Sequence, residues 1–66
     1  MTTADVHAAV DNIRSLRSDD ESAHVAQDNL YRDVLTSIAR GSAEDPAAMA
    51  AEALKVEDIE FSRWYA

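Results

Sequence analysis

Apolar residues recur at helical intervals along most of this chain. Val6, Ala9, Val10 and Ile13 form a first stripe, with Leu16 at its edge, and Thr2 or Thr3 stands where a helix cap belongs. The stripe is slim, which suits a helix packed against a single larger neighbour. Asp5 near its start and Arg14 and Arg17 near its end complement the helix dipole.

The longest periodic stretch, Ser18 to Arg40, predicts the helix around which the rest is organised. At 100° per residue Ala23, Ala26, Leu30, Val34 and Ile38 share one face, and Tyr31 and Leu35 carry the apolar arc further round. So wide an arc calls for two or more neighbours. Ser18, followed three residues later by Glu21, has the form of a capping box, with Asp19 and Asp20 adding negative charge at the positive helix end. Arg40 and Gly41 suit the other end, where glycine readily takes a left-handed conformation.

Asp45 and Pro46 look like an N-cap followed by proline at the first helical position. The alanine-rich segment after them is a strong helix former, with Ala47, Ala50, Ala51 and Leu54 on one face. The closing VEDIEFSRWYA fits two patterns. As a helix it places Phe61, Trp64 and Tyr65 on one side and Val56 and Ile59 on the other; as a strand, Ile59 and Phe61 alternate with Glu60 and Ser62. The helix is favoured, because a lone strand has nothing to pair with and Glu57 and Asp58 suit a helix start. The elements sum to an all-α fold: one domain over residues 1–66, a compact bundle of three or four short helices with residues 18–40 central.

Composition narrows the function. The chain has 66 residues and no cysteine, which excludes disulfides, a thiol nucleophile and thiolate metal sites. Small unstapled cores often lean on a partner or on a second copy of themselves. Six basic residues against thirteen acidic ones give a net charge of −7, which disfavours direct nucleic-acid binding. No apolar run is long enough to span a bilayer and the N-terminus lacks a basic signal-peptide start, so a cytoplasmic location is expected, with no membrane partner.

The stretches DDESAHVAQDNLYRDVLTSIA and LKVEDIEFSRWYA, covering Asp19 to Ala39 and Leu54 to Ala66, resemble small acidic helical proteins of actinobacteriophages and actinobacteria. The resemblance implies a bacterial or phage cytoplasmic setting. It implies no activity and supplies no functional residue.

Chemistry-bearing patterns are sparse. Glu21 and His24 have the helical Glu-x-x-His spacing of di-iron carboxylate bundles, with Asp28 one turn on. Such a centre needs a second Glu-x-x-His, whereas His7 and Asp11 make only a partial counterpart, so no metal and no cofactor is expected. His24 then lies at the core edge beside Tyr31, within reach of Asp28. No serine has His and Asp partners at helical spacing, and the chain reads as no enzyme.

Two interaction surfaces remain. Phe61, Arg63, Trp64 and Tyr65 are residue types enriched in interface hot spots, and they either bind a partner or close the chain's own core. Asp19, Asp20, Asp28 and Asp33, with Glu57, Asp58 and Glu60, present an acidic surface that can imitate a phosphate backbone. The first favours a small accessory or regulatory module binding a host protein or a second copy. The alternative is a nucleic-acid mimic that inhibits a DNA- or RNA-binding host protein.

Overall fold

The computed structural model describes residues 1–62. They form three α-helices, α1 (Thr3–Ser15), α2 (Asp20–Ala39) and α3 (Pro46–Ala53), followed directly by a 3-10 turn at Leu54–Asp58. The fold over these residues is all-helical, and none of the helices is long and apolar enough to cross a membrane.

Local chemistry accounts for the helix ends. At α1 the Asp5 N–H donates to the Thr2 hydroxyl while the Thr2 N–H donates to the Asp5 carboxylate, a reciprocal box. At α2 the expected box at Ser18 does not form. Leu16 to Ser18 are used in the turn out of α1, closed by the Asp19 N–H donating to the Leu16 carbonyl at 2.8 Å. The helix therefore starts one residue later, and Asp19 is the cap, accepting from the Ser22 N–H and hydroxyl. Gly41, at φ 72°, closes α2: its N–H reaches the Ile38 carbonyl and the Ser42 N–H reaches that of Ser37, a Schellman arrangement. Asp45 caps α3 through the Ala48 N–H, with Pro46 first in the helix.

The core joins Val6, Val10 and Ile13 of α1 to Leu30 and Val34 of α2, Met49 and Ala53 of α3, Val56 of the 3-10 turn, and Ile59. The most enclosed large side chains are Ile13, Met49, Val6, Val10 and Val56, none of them on α2. This corrects the expected hierarchy. The slim stripe of α1 meets α2, α3 and the 3-10 turn together, and its most extensive packing is against α3, whose small alanines allow close approach. The wide arc of α2 is covered on one side only: Leu30 and Val34 are buried, but Ile38 is 39% exposed.

Two further expectations are revised. On α3 the buried residues are Met49 and Ala53, while Ala47 and Ala51, and Leu54 just after the helix, face outward. After the 3-10 turn the backbone is extended at Ile59, and residues 60–62 are not helical. An extended backbone puts alternate residues on one side, so Ile59 is buried and Phe61 packs against the core while Glu60 faces solvent. A continued helix would carry Phe61 about 160° away from Ile59. The segment lies beside α2 instead of pairing as a strand: the Ser62 N–H donates to Asp20 Oδ1 at 3.1 Å. Arg63, Trp64 and Tyr65 lie outside the described residues.

Candidate functional site

The unequal lengths of α2 and α3 leave an apolar groove between them. At 1.5 Å per residue, the eight residues of α3 lie alongside less than half of the twenty-residue α2. Alanine side chains on α3 also project too little to cover the neighbouring flank of α2. A groove of about 240 Å³ results, lined by Tyr31, Val34 and Leu35 on one wall and Ala50, Ala53 and Leu54 on the other. Val34 and Ala53 form the buried floor, while Leu35 and Leu54 stand on the rims, 66% and 57% exposed. Near one end the Tyr31 hydroxyl donates to Glu57 Oε1 at 3.2 Å. The rim leucines fall within apolar sets that sequence reasoning placed inside. The signal that identifies them as surface is the shortness and alanine content of the helix beside them.

The four aspartates of the acidic surface are dispersed. Asp19 caps α2, and Asp20 accepts the Ser62 N–H. Asp28 lies 3.6 Å from His24 Nε2. Asp33 is exposed, and at five residues from Asp28 it points about 140° away around the helix. The first two thus have structural work at one helix end, and the other two face different directions.

The histidines do not converge on a common centre. His24 is largely enclosed and lies beside Asp28, while Glu21 is exposed. His7, on α1, lies between Asp11 Oδ2 at 3.3 Å and Glu52 Oε1 at 3.5 Å, linking α1 to α3. Lys55 Nζ approaches Glu52 Oε2 at 3.0 Å. The Lys55 hydrogen bond holds the Glu52 carboxyl below its ordinary value; partial burial opposes this, and the Lys55 charge and His7 add to it. Asp5 is likewise held low, first by the Thr2 backbone N–H. Among the described residues no group of three or more His, Asp or Glu could hold a metal ion.

Phe61 is half-buried and in contact with the core, the interior alternative for that residue. The other members of the aromatic set, Arg63, Trp64 and Tyr65, lie outside the described residues. No family model matches the chain, and comparisons with curated proteins and with solved structures return no match.

Proposed function

We propose that this chain is a small non-enzymatic protein–protein interaction module, an accessory or regulatory protein working in a bacterial cytoplasm, that docks through the groove between α2 and α3. One observation supports the reading above all: two leucines, Leu35 and Leu54, face each other across an apolar groove and are more than half exposed. In a domain with so little core, leaving large apolar groups outside forgoes stability. Clustered apolar exposure is the usual mark of an interaction surface.

The test is a comparative capture from bacterial lysate with the whole chain and its Leu35→Asp variant as baits. The reading expects a protein retained by the first and lost by the second, with helicity unchanged. Identical retention by both baits would exclude the groove as the docking face.

Charge mimicry is the second reading, supported by the net charge of −7. It expects capture that weakens steeply with salt and fails on charge reversal at Asp28 and Asp33, with Leu35→Asp harmless. Reversal at Asp19 or Asp20 is less informative, since the first caps α2 and the second holds the Ser62 N–H.

A further inference from the structure

We infer that the occupant of this groove is an amphipathic helix of a partner protein, apolar along the seam and basic on its flanks; the inference rests on the docking reading above. Each wall is a helical ridge with i, i+3, i+4 spacing, residues 31, 34 and 35 on α2, and residues 50 and 53 on α3 with Leu54 at its C-cap. No α1 residue lines the groove, so it is the outer furrow of a helix pair whose inner side α1 already fills. Ridges at this spacing accept the side chains of a third helix laid along the furrow. Ile38 extends the α2 wall by a further turn and Ala47 the α3 wall, giving room for anchors at i, i+3 or i+4, and i+7.

Charge selects the flanks of that helix. The α3 wall from Pro46 to Ala51 carries no charged residue, and on α2 no carboxylate follows Asp33. Carboxylates stand at the two ends instead: Glu44 and Asp45 precede α3 at one, and Glu57 and Asp28 mark the other. Glu57 is bonded to Tyr31, and Asp28 lies two turns before Leu35, on the same flank of α2. An occupant with lysine or arginine flanking its apolar stripe gains attraction there without burying a charge along the seam. A second copy is the poorer fit. It brings a further −7, and a stable dimer buries about 800 Å² per partner, more than six lining residues supply.

The experiment titrates the whole chain with a synthetic helical peptide of about five turns, leucines along one stripe and lysines flanking it, followed by NMR shifts and by the anisotropy of a labelled peptide. A glutamate-flanked copy of the peptide and the Leu35→Asp/Leu54→Asp protein are run in parallel. Expected are shifts along both groove walls with the lysine peptide, no binding of the glutamate peptide, and at least a tenfold loss on the double variant. That variant is more acidic than the parent, so a loss cannot come from weaker charge attraction. The Leu35→Gln/Leu54→Gln protein, which should show the same loss, serves if the aspartates reduce helicity. Equal binding of the lysine peptide by parent and variant, or no binding by the parent, overturns the inference. A concentration-dependent dimer split by Leu35→Asp also overturns it, by giving the groove to a second copy. That outcome leaves the docking reading standing, which fails only in the capture experiment.

Discussion

The first and second helices use their apolar faces in opposite ways. Val6, Val10 and Ile13, the large residues of the narrow α1 stripe, are fully enclosed, because α2, α3 and the 3-10 turn all converge on them. The broad arc of α2 is half enclosed, because α3 is too short and its side chains too small to cover the flank carrying Leu35 and Ile38. The width of an apolar face therefore measures how much surface a helix offers. How much of it the same chain covers is set by the length and bulk of the neighbours. In this protein the difference separates the residues that hold the fold from those available to a partner.

The sharpest way to break that comparison is truncation on each helix. Ile13→Ala on α1 should cost about 2–5 kcal/mol, since it empties a fully enclosed site. A core this small supplies only about 3–5 kcal/mol in total, so most of the cooperative unfolding transition should be lost. Leu35→Ala on α2 should stay within about 0.5 kcal/mol, because the side chain is mostly in water and alanine is the better helix former. Chemical denaturation of both variants at low protein concentration measures the gap. A Leu35→Ala cost close to that of Ile13→Ala would show that the outward flank of α2 is buried in solution.

How far each helix was legible in the sequence follows the same division. For α1 everything needed is local: the 3–4 spacing of Val6, Val10 and Ile13, and Thr2 with Asp5 at the start, specify both the helix and its buried face. For α2 the helix is legible and its start is misplaced by one residue, because Ser18 is used in the turn and Asp19 does the capping. Its buried face is set by tertiary contact. Gln27 and Ser37, both polar, lie on the enclosed side while Leu35 lies outside. No periodicity argument ranks glutamine above leucine for burial. The closing segment shows the same limit. Ile59 and Phe61 both meet the core because the helix does not continue past Asp58, and the partner that steadies Ser62 is a carboxylate some forty residues earlier in the chain.

Helix termini allow a finer comparison at a smaller energy. Gly41 ends α2 with a positive φ and nothing within 4 Å of a built Cβ, so Gly41→Ala introduces backbone strain without a clash. The expected cost is about 1 kcal/mol. Asp45→Ala at the start of α3 should cost a similar ~1 kcal/mol through loss of the bond to the Ala48 N–H. The Schellman arrangement carries the chain from α2 towards α3, so Gly41→Ala should also raise amide exchange along the groove walls while leaving α1 protected. Hydrogen exchange resolved by residue makes the distinction. Uniform loss of protection across all three helices would mean that α1 has no stability separate from the α2–α3 pair.

The smallest effect expected is in the acid range, and it bears on how α1 is held at its start and against α3. The Thr2 backbone N–H and hydroxyl keep Asp5 below its ordinary value, and Lys55, assisted by His7, does the same for Glu52. A carboxylate whose folded value lies below its unfolded one contributes stability above the unfolded value and loses it as pH falls through the folded value. Stability should thus be flat near neutrality as far as these two groups are concerned, and decline as pH drops from about 4.5 into and below the ordinary carboxylate range. Asp5→Asn removes one titrating group and weakens the acceptor that holds the Thr2 N–H; Glu52→Gln does the same for the Lys55 and His7 contacts that join α3 to α1. Each variant should be slightly less stable than the parent at pH 7 and should converge on it as pH falls through the ordinary carboxylate range and below it. A parent curve that stays parallel to both variants down to pH 3 would show that neither carboxylate is preferentially stabilised in the folded state, leaving α1 held by its apolar stripe alone.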